Sequence, residues 1–202
     1  MKTIALWLFA LVVAMAAPTV RGHAAETLLP EAHKSEDGLH VEPWFKDSWL
    51  DLGEDVREAD AHGKRLLVMV ELKGCGACNR MHDIVFRDPN VVDFMTRHFE
   101  IVQLNLIGAR EVTDLNGDKF SEKAYVASIG VKGTPSFAFY QPGAKIGDAH
   151  GGAAVAYFTQ GFKDRAVFYA LLEYVRSAAY LREPDFEAWR TSNAAKLNIT
   201  FD

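Results

Sequence analysis

Residues 65–78 read Arg65-Leu66-Leu67-Val68-Met69-Val70-Glu71-Leu72-Lys73-Gly74-Cys75-Gly76-Ala77-Cys78, an apolar run that stops at two cysteines. Its length and β-branched content predict a strand covered on both faces. The cysteines follow at once and open a helix predicted to run to about Ile84. At a helix start several backbone N–H groups are unpaired and the dipole is positive, which favours thiolate over thiol. Cys75 is therefore expected to titrate below a free thiol. Cys78, one turn on, is placed to resolve a mixed disulfide.

These two are the only cysteines among 202 residues. Closing so short a loop restricts the unfolded chain by only roughly 2 kcal/mol, so the spacing points to reactivity over stapling. A zinc site would need two further ligands, and the sequence has no His-x₃₋₅-His spacing to supply them.

Before the strand, Leu50, Leu52, Val56 and Ala59 recur at helical steps, predicting a helix from Asp47 to Ala61 that Gly63 ends. After the cysteines, Asp88-Pro89 predicts a capped helix, and Phe99 to Leu106 alternates like a strand. Asn116-Gly117 predicts a hairpin turn between Glu111-Val112-Thr113 and Lys119-Phe120. The acidic cluster around that turn lacks the spacing of an EF-hand loop. Ser121 is expected to cap a helix reaching Ile129. Strands are predicted at Ser136–Tyr140 and Val155–Phe158, and helices at Asp164–Ala179 and 185–196.

The N-terminus has a basic start at Lys2, an apolar core from Ile4 to Ala14 and a small-residue exit, the layout of a secretory signal. The apolar segment ends near Ala17, short of the roughly 20 residues of a spanning helix. The expected division is a signal peptide at 1–24, an extended arm at 25–47, a catalytic domain at 48–180 and a tail at 181–202. Loss of the signal would remove Lys2 and Arg21, taking the net charge from −5 to −7. That balance, without any long basic run, disfavours nucleic acid and anionic membranes as partners.

Gly133-Thr134-Pro135 enters the strand at 136. Together with the Cys pair, this motif resembles the thioredoxin superfamily. The resemblance implies an α/β thioredoxin fold, with a central mixed sheet flanked by helices. It also implies a cis Thr134–Pro135 bond opposite the cysteines, where Thr134, Pro135, Gly76 and Ala77 contact an extended substrate.

A narrower resemblance lies in Gly74-Cys75-x-x-Cys78 through Met81-His82, in Phe86-Arg87-Asp88-Pro89-Asn90-Val91-Val92, in Arg110–Asp114 and in Leu172–Val175. These segments look like the SoxW-type thioredoxin-related proteins of the bacterial cell envelope, and are similar to the C-terminal domain of DsbD. The likeness spans about residues 44–190. It implies a periplasmic thiol–disulfide oxidoreductase that reduces protein disulfides, fed by a membrane electron donor of the DsbD or CcdA type. No cofactor beyond the Cys75–Cys78 disulfide is expected. The alternatives are a thiol oxidase or isomerase, or a Cu(I) metallochaperone using the same cysteines with Met81 and His82 as extra ligands.

Three positions depart from the thioredoxin pattern. Gly74 stands where Trp is usual, Gly76-Ala77 is an unfamiliar dipeptide, and Met69 replaces the buried acid. Two substitutes for that acid are at hand. Glu71 shares the strand face of Met69. His82 lies about 40° around the helix from Cys78 and about 6 Å along it. Either is a candidate to take the Cys78 proton. The remaining histidines, including His33, His40 and His150, show no clustering and are expected at the surface.

Overall fold

In a computed structural model, residues 27–143 and 155–197 are described. The signal-like segment and His150 lie outside them. None of the described helices is long and apolar enough to cross a membrane.

The arm carries a small antiparallel hairpin, β1 (His33–Lys34) and β2 (His40–Val41), with Lys34 opposite His40. Helix α1 spans Leu52–Ala61 and starts later than the apolar spacing predicts. The reason is local. The Ser48 hydroxyl takes the Leu50 N–H, Leu50 turns left-handed at φ 62°, and the Asp51 side chain caps the helix at the Glu54 N–H. Leu50 still reaches the core, but from a loop.

Strand β3 (Arg65–Glu71) is buried on both faces, as its composition predicts. It leads through the cysteines into α2 (Gly76–Arg80), which continues as a π-helical turn at Met81–Val85. There the Phe86 N–H reaches back five residues to the Met81 carbonyl at 2.8 Å. Single π turns of this kind are frequent at functional sites. Helix α3 (Pro89–His98) is capped by Asp88, with Pro89 in its first turn, and passes into β4 (Phe99–Asn105).

The hairpin β5 (Glu111–Thr113) and β6 (Lys119–Ser121) follows, and Ser121 caps α4 (Glu122–Ser128). Between these strands one Asp114 oxygen accepts the N–H groups of Asn116 and Asp118. The acidic cluster there thus braces a turn. Strands β7 (Ser136–Tyr140) and β8 (Val155–Gln160) precede α5 (Arg165–Arg176) and α6 (Phe186–Ser192).

The main sheet has the order β4-β3-β7-β8. β3 is parallel to β4, and the other two pairings are antiparallel. Leu66, Val68 and Val70 face a core with Val56 of α1 and Val126 of α4. Leu67 and Met69 face the other core, with Met81, Val85, Met95 of α3 and Phe168 of α5. Each such side chain contributes about 1.5–3 kcal/mol by leaving water. This two-sided burial fixes the end of β3, from which the cysteines project.

Candidate active site

The chain leaves β3 through Leu72, Lys73 and Gly74 and turns sharply. The Cys75 N–H bonds the Leu72 carbonyl at 3.1 Å, and Gly74 has φ 77°. That left-handed backbone suits glycine and would strain a tryptophan, which accounts for the departure at this position.

Cys75 is the N-cap of α2, and the Cys78 N–H donates to its sulfur at 3.0 Å. The two residues are joined as a disulfide, with Cα atoms 5.2 Å apart. Cys75 is half-buried and Cys78 is 0% exposed, so an approaching partner meets Cys75 first. Gly76 is exposed and Ala77 half-buried.

Thr134–Pro135 is cis. Ser136 pairs with Val70, which sets Pro135 beside the end of β3, and the Pro135 carbonyl accepts the Gly161 N–H at 2.7 Å. The fold thus gathers the cysteine loop and the Thr134–Pro135 turn at one end of β3.

The residues that flank the cysteines along the chain, Glu71 at the end of β3 and His82 in the π turn, belong to a buried polar cluster. Glu71 is 0% and His82 1% exposed, so neither is a boundary group. His82 Nε2 lies 3.0 Å from Glu71 Oε1, and His82 Nδ1 lies 2.7 Å from Glu42 Oε1. His40 Nδ1 lies 3.2 Å from the same Glu71 oxygen, while Gln103 donates to the other. The His40 and His82 rings stack at 3.8 Å with 9° between their planes. Lys34 Nζ contacts His40 Nε2 and also donates to Asn79, the residue after Cys78.

His40 therefore corrects the expectation of a surface histidine. It is buried at the start of β2, although His33 at the start of β1 is exposed. Glu42 was not anticipated at all. No local signal marks it: the chain turns directly after Glu42, at Pro43-Trp44, where the Phe45 N–H bonds the Glu42 carbonyl at 3.1 Å.

Hydrogen-bond chemistry assigns the protons. An ammonium offers only donors, so His40 Nε2 accepts from Lys34 and His40 Nδ1–H donates to Glu71. Both His82 nitrogens face carboxylates, and both donate. Burial alone would raise the Glu71 carboxyl. Hydrogen bonds from His40 and His82, and the charge of His82, outweigh it and hold the group at about 2. Burial likewise opposes the charged form of His82, and the two carboxylates overcome it, so its pKa is raised.

His40, Glu71 and His82 present nitrogen and oxygen donors within 4.8 Å of one another, a set that invites a metal reading. The ring geometry opposes it. A zinc-type ion sits about 2.0–2.1 Å from imidazole nitrogen, along its lone pair. Two parallel stacked rings send their lone pairs side by side, so one ion would lie far out of both ring planes. The Lys34 ammonium on His40 adds repulsion. A Cu(I) site on the cysteines fares no better for extra ligands, since Met81 is in the core and both His82 nitrogens are occupied.

A family model described as a thioredoxin-like domain matches residues 52–176. Among solved structures, a thioredoxin-fold protein from Helicobacter pylori is 20% identical, with a TM-score of 0.53 over 67% of this chain and 83% of that one. A thioredoxin from Thermus thermophilus is 22% identical, covering 62% and 83% of the two chains, with a TM-score of 0.47. A putative disulphide-isomerase from Bacteroides thetaiotaomicron is 24% identical, covering 63% and 86%, with a TM-score of 0.45. No curated protein matches the chain.

Proposed function

Because the chain belongs to the thioredoxin-like domain family, we propose that it is an exported thiol–disulfide oxidoreductase that reduces protein disulfides in the periplasm. The observation that carries this reading is the pairing of a half-buried Cys75 sulfur, hydrogen-bonded by the Cys78 N–H, with a fully buried Cys78. A sulfur that accepts a backbone N–H is better stabilised as thiolate.

In the forward reaction the Cys75 thiolate attacks a substrate disulfide, forming a mixed disulfide and releasing one substrate thiolate. Cys78 then loses its proton and attacks the Cys75 sulfur. The second substrate thiolate leaves, and the two electrons end on the substrate as the Cys75–Cys78 disulfide forms. An extended substrate segment lies beside Thr134–Pro135, over Gly76 and Ala77. A membrane donor of the DsbD or CcdA type, as the SoxW resemblance implies, returns two electrons and opens the disulfide again. No metal or organic cofactor enters these steps.

Glu71 and His82 set the ionisation of Cys78 as a pair. Glu71, held near 2, stays ionised and anchors the imidazole. With both nitrogens held by carboxylates, His82 acts on Cys78 through its charge. As imidazolium, one helical turn beyond Cys78, it favours the Cys78 thiolate when the donor opens the disulfide and when Cys78 attacks, and water exchanges the proton.

Direction is tested by a glutathione redox titration of the chain without residues 1–24. With the uncharged Gly76-Ala77 between the cysteines, the potential is expected nearer thioredoxin at about −270 mV than DsbA at about −120 mV. A value above about −160 mV would make the oxidase reading the better one. Reduction of insulin disulfides, lost in Cys75→Ser, is the accompanying activity assay.

A further inference from the structure

The matched thioredoxin-like segment begins at Leu52, yet two of the four buried ionisable groups in the cluster, His40 and Glu42, come from the arm before it. We infer that the arm is a working part of the redox site: His40 and Glu42 are positioning residues that set the protonation of His82, and with it the pH range over which the cysteines exchange. This rests on the His82 charge acting on Cys78, as in the proposed function.

Docking the arm does not require these groups. Trp44 meets the edge of Phe86 at 5.2 Å, the Leu29 N–H bonds the Arg87 carbonyl, and the Lys46 N–H bonds the Ile101 carbonyl. These contacts close the interface without bringing any charge into it. The arm also brings a carboxylate to one nitrogen of His82 and a stacked imidazole to its face.

Every element around His82 contributes to its proton affinity. Glu42 acts directly on Nδ1, and Glu71 of β3 on Nε2. His40 competes for the same Glu71 oxygen, and Gln103 of β4 holds the other. Lys34 acts through His40. Phe45 and Phe86 turn ring edges toward the imidazole and bring no charge. Cys78 stands one turn earlier on the same helical segment.

The two arm residues therefore pull in opposite directions. Glu42 favours the imidazolium. His40 weakens the hold of Glu71 on His82 by sharing its oxygen. Glu42→Gln is expected to move the His82 titration down by at least one pH unit, tenfold in proton affinity. His40→Asn is expected to move it up. Opposite shifts from two neighbouring substitutions are not what simple loosening of the arm would give.

The experiment reads two things in the full mature chain. One is the His82 ring titration by NMR. The other is the rate at which dithiothreitol opens the Cys75–Cys78 disulfide, divided by the dithiothreitol thiolate concentration at each pH. In wild type that corrected rate should fall as His82 loses its proton, and in each variant the fall should follow the ring. A His82 titration unmoved by both substitutions, or moved the same way by both, overturns the inference even if the protein reduces insulin normally. A ring that shifts while the corrected rate profile stays put overturns it too, and also removes the His82 charge from the exchange. Failure of wild type to reduce insulin would instead strike the proposed activity. Should Glu42→Gln not fold, His40→Asn alone decides, since it must shift the titration upward.

Discussion

Glu71 at the end of β3 and Glu122 at the start of α4 are equally withdrawn from solvent, 0% and 1% exposed, and both are fully engaged. Their partners differ. Glu122 accepts the backbone N–H groups of Asn105 and Arg110 and one Arg110 guanidinium nitrogen at 2.7 Å. All of these lie within a short stretch of chain, and all are backbone or guanidinium donors. Glu71 is held by two imidazoles and an amide drawn from the arm, the π turn and β4. Burial of a carboxylate therefore says only that the chain is clasped. A carboxylate buried against groups that exchange protons, next to a redox pair, marks a site.

The sharpest way to break that comparison is to neutralise each acid in turn. Glu71→Gln leaves the His82 charge short of one of its two carboxylates, and losing one partner of a buried pair costs about 3–5 kcal/mol. Glu122→Gln keeps an acceptor for the Asn105 N–H, and its cost is expected near that of one weakened hydrogen-bond set, about 1–3 kcal/mol. Urea unfolding gives both numbers. The pH profile of disulfide opening should change in Glu71→Gln and stay in place in Glu122→Gln. An equal change in both would show that the two carboxylates do the same job.

The sequence makes one half of this contrast visible and hides the other. β3, the cysteine loop, the Asp88 cap and the Thr134–Pro135 turn are legible because each is local: an apolar run, a helix start, a Pro at the first helical position, a motif. The strand order could be inferred only through the family resemblance. Glu71 and His82 were within reach because both are near the cysteines in sequence. His40 and Glu42 were not, because Glu71 is 31 positions from His40 and His82 is 40 from Glu42. Nothing in a polar, Pro-containing arm announces that two of its side chains point inward. Leu50 shows the converse failure, since its helical spacing is genuine but a serine and a left-handed turn place it ahead of the helix.

A second, somewhat smaller effect follows from pH. The Glu71 carboxyl sits at about 2 in the folded protein against an ordinary 4.5, a difference of roughly 3 kcal/mol. Because the folded value is the lower one, this stability is present above about 4.5 and is lost as pH falls toward 2. His82 has the opposite sign. Its raised value stabilises the fold below about 6.5, and that contribution is lost as pH rises through the folded value. Asp55, which burial pushes up to about 6 against the Ser48 hydrogen bond and Lys46, penalises the fold as pH climbs from about 4 to 6. The difference in Tm between wild type and Glu71→Gln cancels Asp55. It should be large near neutral pH and shrink between about pH 4.5 and 2. A constant difference across that range would mean that Glu71 is not held as a carboxylate.

The smallest effect separates the same two regions through their glycines. At Gly108, an added Cβ would run into Glu122 Oε2 and press on Asn105, so the obstacle is space. Gly108→Ala must displace the Glu122 clasp, an overpacking cost of about 1–3 kcal/mol. At Gly74 nothing lies within 4 Å of an added Cβ, but the backbone is at φ 77°. Gly74→Ala therefore pays only for left-handed backbone, about 1–2 kcal/mol. It leaves the buried cluster untouched, so the pH profile of disulfide opening should keep its position while stability drops. The turn that presents Cys75 is thus tuned by conformation alone, and the clasp by contact. If Gly74→Ala shifts the profile as Glu71→Gln does, the cysteine turn and the buried acid are coupled through the backbone, and the separation drawn between them fails.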